Sequence, residues 1–95
     1  MKKQPCVYIL ASKPNGTLYT GVTSHLQQRV QQHKDAKTEG FSQRYACKYL
    51  VFFYYFETMY EAICFEKRLK GGSRQQKIDL IIETNPDWTD LSKLL

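Results

Sequence analysis

Apolar and polar positions along this chain mark out most of its elements. Cys6 to Ala11 is a short run rich in β-branched and aromatic residues, which is a strand pattern. Lys13-Pro14-Asn15-Gly16 follows. Proline presets φ and Asn-Gly tolerates positive φ, so this segment predicts a tight turn. Thr17 to Val22 reads as the returning strand of an antiparallel hairpin. Ser24, with Gln27 three residues on, has the spacing of an N-cap and its capping-box partner. The helix it opens runs to about Asp35 with Leu26 and Val30 facing the core.

Residues 36 to 46 are polar and read as a loop with a short turn. Lys48 to Phe56 is nearly continuous in apolar and aromatic residues, which predicts a central strand buried on both faces. Thr58 and Glu61 set the start of a second helix, which reaches Lys70 and stops at Gly71-Gly72. Ser73 opens a third, to about Thr84, with Ile78, Ile81 and Ile82 inward and Pro86 beyond its end. The tail carries Trp88, Leu91, Leu94 and Leu95 and is expected to pack down as a short turn or helix. The order β-β-α-β-α-α predicts an α+β (α/β) fold, a small three-stranded antiparallel or mixed sheet flanked by helices.

Length fits one domain spanning residues 1–95, with no room for a second core. Hydrophobic residues at 42% and charged residues at 24% exclude a disordered chain, a collagen-like chain and a coiled coil. The longest apolar run, Tyr49 to Phe56, falls far short of the roughly 20 residues of a membrane span. Met1-Lys2-Lys3-Gln4-Pro5 lacks the apolar stretch of a signal peptide. Cys6, Cys47 and Cys64 have neither disulfide-framework nor zinc spacing, so they are expected as buried reduced thiols in a cytoplasmic protein.

The formal charge of +5 suits a polyanionic partner, and its distribution sharpens the point. Lys67, Arg68, Lys70, Arg74 and Lys77 lie in one acid-free stretch, whereas after Lys77 the balance reverses, with Asp79, Glu83, Asp87 and Asp90 against Lys93.

Three places could carry chemistry. A turn centred between Pro14 and Asn15 sets Tyr8 opposite Gly21 and Leu10 opposite Tyr19. The two tyrosines are then diagonal neighbours on one face, with space over Gly21. Sheet physics alone makes them a cross-strand aromatic pair. Arg29 and His33 are four apart on the first helix and share a face beside the apolar stripe. An arginine there suits a phosphate and a histidine suits proton transfer, or both are exposed polar residues. Glu66 lies on the inward stripe with Ala62, Ile63 and Leu69. A carboxylate so placed is either half of an internal ion pair, with Arg29 as a candidate, or the protein ligand of one divalent ion that keeps several waters.

Taken in order, Val7-Tyr8-Ile9, Tyr19-Thr20-Gly21, Arg29, His33 and Glu66 resemble the GIY-YIG endonuclease family. Glu66-Lys67-Arg68-Leu69-Lys70, Arg74-Gln75-Gln76-Lys77 and Asn85-Pro86-Asp87-Trp88 are similar to its short stand-alone bacterial subgroup, itself similar to the excinuclease nuclease domain. The first motif lacks the family's leading glycine, and Gly71-Gly72-Ser73 stands where the subgroup often has a tryptophan.

The resemblance implies the GIY-YIG fold and a metal-dependent endonuclease that hydrolyses phosphodiester bonds in DNA, with a role in repair or recombination. It implies Glu66 as the ligand of a single Mg²⁺ or Mn²⁺. Tyr8 would stand near the attacking water as general base or relay, and Tyr19 would orient water or phosphate. Arg29 would hold the phosphate and His33 would receive the proton, directly or through Tyr8. Lys67, Lys70, Arg74 and Lys77 would track the nucleic-acid backbone. Asn85 corresponds to a polar residue found late in some members, although Asn before Pro is also an ordinary helix stop. The partner expected is nucleic acid and not membrane, with cleavage that is non-specific, recognises a nucleic-acid structure or relies on a protein partner. The competing classes are a non-catalytic nucleic-acid-binding module on the same scaffold and a structural protein.

Overall fold

A computed structural model describes residues 4–35 and 46–95. The polar stretch 36–45 lies outside them. Three strands, β1 (Cys6–Ala11), β2 (Leu18–Thr23) and β3 (Tyr49–Tyr55), form one antiparallel sheet in the order β2-β1-β3. Helix α1 (Leu26–Lys34) follows β2, and α2 (Met59–Gly71) and α3 (Arg74–Thr84) follow β3. A 3₁₀ turn, Leu91–Leu94, ends the chain.

The hairpin forms as its turn residues dictate. The Gly16 amide donates to the Lys13 carbonyl at 2.9 Å, and Asn15 takes a φ of 58°. That turn sets the register, and Tyr8 pairs with Gly21 and Leu10 with Tyr19, as the spacing predicts. Alternation along β1 then divides the core. Val7, Ile9 and Ala11 pack with Val51, Phe52, Ala62, Leu69, Ile81 and Trp88 under α2 and α3. Cys6, Tyr8 and Leu10 pack with Leu26, Val30, Cys47 and Leu50 under α1.

Four expectations are corrected. The central strand is β1, whose six residues are all buried, and the apolar β3 is an edge. Tyr49, Tyr54 and Tyr55 on β3 are exposed, Tyr54 at 57%. Tyrosine rings can lie over an apolar edge while their hydroxyls stay in water. A register shift opposite Ile9 and Leu10 breaks the alternation of β3, which is how Val51 and Phe52 come to join the same core cluster.

Ser24 does not cap α1. The N-cap is His25, whose amide donates to Thr23 Oγ1 at 3.0 Å, while the Ser24 hydroxyl engages His25 Nδ1. Ile82 faces outward at 47% exposure, because α3 turns a narrow stripe centred on Ile81 to the sheet. Cys64 is exposed as well. Residues 62, 66 and 69 make the inward stripe of α2, and residue 64 projects to its far side.

The other caps form as predicted. Thr58 Oγ1 accepts the Glu61 amide, and Ser73 and Gln76 make a reciprocal capping box. Helix α2 runs into Gly71, and Gly72 beyond it is extended and does not use the left-handed region. Helix α2 packs on β1 and β2, while α3 and the 3₁₀ turn pack on β3. Asp90 clips the tail down: its carboxylate accepts from the Leu50 amide and from Lys34 Nζ, the latter at 2.7 Å.

Candidate active site

Tyr8 is the centre of the site. Its ring lies at 6.4 Å from that of Tyr19 and 6.0 Å from that of His33, and Tyr19 and His33 are 5.3 Å apart, centroid to centroid. Three elements therefore converge: Tyr8 from β1, Tyr19 from β2 and His33 from α1. The Tyr8 hydroxyl and His33 Nε2 are 3.3 Å apart, within hydrogen-bonding distance. Gly21 makes the arrangement possible. A Cβ there would stand 2.5 Å from both Cζ and Oη of Tyr8, so the phenol occupies the space a side chain would take.

Electrostatics ties the two remaining candidates to the same phenol. Burial, then the neighbouring Tyr19, push the Tyr8 hydroxyl far above the usual range. The positive charge of Arg29 pulls the other way, and the negative charge of Glu66 adds to the rise. Both charges thus act at Tyr8. His33 is buried and held below its ordinary value by desolvation first and by Arg29 second. Its imidazole is accordingly neutral at pH 7. Arg29, one turn earlier, is exposed and lines a small polar groove with Thr23, His25, Gln28 and Gln32.

Glu66 is 9% exposed, between buried Ala62 and Leu69. Its ion pair is with Lys70, at 2.8 Å, and not with Arg29. An i,i+4 Glu-Lys step is a sequence signal for such a pair, so Lys70 has a role that its place in a basic tract conceals. No cluster of three or more His, Cys, Asp or Glu occurs among the described residues. One carboxylate supplies one hard oxygen donor, so Glu66 is a residue that could hold a divalent ion retaining most of its waters.

The basic tract is not one uniform stripe. Lys67 is exposed and Lys70 is engaged by Glu66. The Arg74 guanidinium donates to the Asn15 and Gly16 carbonyls, each at 2.8 Å, and so clamps the hairpin turn. Arg74 and Lys77 line a groove with Thr17 and Leu18 at the start of β2. Asn85 is not brought to the cluster. It is buried beside β3, its amide donating to the Val51 and Thr89 carbonyls and its carbonyl accepting the Thr89 amide. One amide bond and the acceptor serve the turn after α3 and the other amide bond ties that turn to β3, so the side chain is engaged in holding the fold.

The family pattern of the GIY-YIG catalytic domain matches residues 4–79. The chain belongs to the GIY-YIG family. Tyr8, Tyr19, Arg29, His33 and Glu66 all fall inside the GIY-YIG match, and Asn85 falls outside it. A UPF0213 protein of Clostridium perfringens is 36% identical over 75 residues, covering 79% of this chain and 80% of that protein. A UPF0213 protein of Staphylococcus haemolyticus is 35% identical over 77 residues, 81% of this chain and 93% of the relative. The GIY-YIG fold is also similar to the solution NMR structure of a UPF0213 protein from Bacillus halodurans, with a TM-score of 0.59, 29% identity and 96% of each chain covered. Among the described residues of this GIY-YIG chain, no helix is long and apolar enough to cross a membrane.

Proposed function

We propose that this protein is a divalent-metal-dependent endonuclease that hydrolyses phosphodiester bonds in DNA. The observation that carries the reading is the cluster of the Tyr8, Tyr19 and His33 rings, with the Tyr8 hydroxyl 3.3 Å from His33 Nε2.

The direction of the pKa shifts favours one division of labour. A phenol pushed upward is a poor source of phenolate, so Tyr8 is not the resting base. His33 is neutral, buried and 3.3 Å from the Tyr8 hydroxyl. In this reading His33 takes the proton of the attacking water, with Tyr8 as its relay. Tyr19 orients the water or phosphate by its hydroxyl, and Arg29, exposed at the mouth, holds the phosphate oxygens as charge develops. Glu66 is the residue that would hold the metal, and a bound divalent ion supplies positive charge to the scissile phosphate and the leaving oxygen. Lys67 and Lys77 add salt-sensitive affinity for the backbone without reading sequence. A cytoplasmic place and a part in repair or recombination belong to the same reading through the family likeness.

The test is cleavage of labelled single-stranded, duplex and branched DNA, and of RNA, with Mg²⁺ or Mn²⁺, beside Glu66→Gln. Metal-dependent cutting that the variant loses while still binding is the expected result. Binding by both forms without cutting replaces the nuclease with a binding module on the same scaffold. No binding at low salt removes both.

A further inference from the structure

Lys70 stands one turn beyond Glu66 on α2, with Nζ 2.8 Å from Glu66 Oε2. The two members of the pair are unequally buried: the carboxylate side chain is 11% exposed and the lysine 52%. A carboxylate that deep is costly without a counter-charge. The lysine is mostly solvated already, on a flexible stem with three rotatable donors, so it loses little by leaving. The pair therefore ties a group that always needs a cation to one that does not need the carboxylate.

We propose that Lys70 is a displaceable counterion: it neutralises Glu66 when no divalent ion is bound and competes with that ion for the same oxygen. The inference rests on the reading of Glu66 as the metal ligand. An ammonium 2.8 Å from Oε2 and a dication on that oxygen would place like charges a few ångströms apart, so the two cations exclude one another. Lys70 thus sets how much free metal the site demands, and it lets the metal-free protein keep a buried carboxylate without misfolding around it.

The probe is Mn²⁺ alone, titrated at fixed ionic strength and followed by the electron paramagnetic resonance of the free ion. The proteins are the wild type, Glu66→Gln, Lys70→Met and Lys70→Arg. Lys70→Met keeps the apolar stem and removes the charge; Lys70→Gln, with a donor but no charge, repeats the comparison should the methionine variant fold poorly. The wild type is expected to bind Mn²⁺ and Glu66→Gln to lose that binding. Lys70→Met should bind roughly three- to ten-fold tighter, the scale of a partly exposed ion pair plus the relieved repulsion. Lys70→Arg should return toward the wild-type affinity. Without metal, Lys70→Met should melt below the wild type, and saturating Mn²⁺ should narrow the gap. Glu66-dependent binding that is unchanged or weaker in both uncharged variants overturns the competition and leaves Glu66 as the metal ligand. An absence of Glu66-dependent binding in the wild type and in the uncharged variants overturns the metal reading itself, and the competition with it.

Discussion

Gly21→Ala isolates the contact on which the site is built. The added methyl would stand 2.5 Å from Cζ and Oη of Tyr8 and 3.0 Å from Cε1. Ordinary carbon contact is at about 3.5–4 Å, so the ring must retreat by about 1 Å. It has little room to do so, because Tyr8 is 2% exposed and flanked by Tyr19 and His33. Overpacking of this kind costs about 1–3 kcal/mol. Disturbing the Tyr8–His33 hydrogen bond adds about 1 kcal/mol, and replacing glycine within a strand returns about 0.5–1 kcal/mol. The expected net loss is about 2 kcal/mol, a fall in Tm on the order of 8–16 °C for a chain of this size.

Urea unfolding followed by circular dichroism measures the loss, and a double-mutant cycle assigns it. Leucine at position 8 ends before the atoms that clash. In a Tyr8→Leu background the alanine should therefore be neutral or stabilising. An equal cost in both backgrounds, or a stabilised Gly21→Ala single variant, would refute the claim that Gly21 is required by the seat of the Tyr8 phenol.

His33 should give the fold a pH dependence, since its folded pKa lies below the unfolded value of about 6.5. The unfolded chain then binds more protons, so stability is full above about pH 6.5 and declines as pH falls toward the folded pKa; urea midpoints at a series of pH values should show this, and His33→Gln should flatten the slope. Asn85→Ala leaves the buried Val51 carbonyl and the Thr89 amide without their partners and should cost about 2–4 kcal/mol, while the folded fraction cuts substrate at the wild-type rate, measured by active-enzyme titration. Arg74→Gln releases the hairpin turn, so amide exchange at Gly16 and Thr17 should quicken with little change in Tm.

Much of this fold was readable because its determinants are close together in the chain. Pro14-Asn15-Gly16 dictates one turn, and that turn alone sets which residues of β1 and β2 face each other, Tyr8 against Gly21 included. Thr58 and Ser73 start their helices through hydrogen bonds only three residues long. The periodicity of α2 also told correctly that Glu66 turns inward.

The sequence by itself thus determined the hairpin, its register, two of the helix starts and the inward turn of Glu66. Only the tertiary structure decided what each one meets. A run of apolar residues in β3 looks the same at the centre of a sheet as at its edge, since the choice depends on which strand pairs with β1. The sequence offered Arg29 as a partner for Glu66, whereas in the fold the carboxylate pairs with Lys70 of its own helix. Arg74 reads as one more basic residue until the chain folds back and sets it on the turn carbonyls of Asn15 and Gly16. Local hydrogen bonds and periodicity act over a few residues, so they are written along the chain. The partners of Arg74 and Lys34 lie in segments far apart in sequence, and only the packed fold brings those segments together.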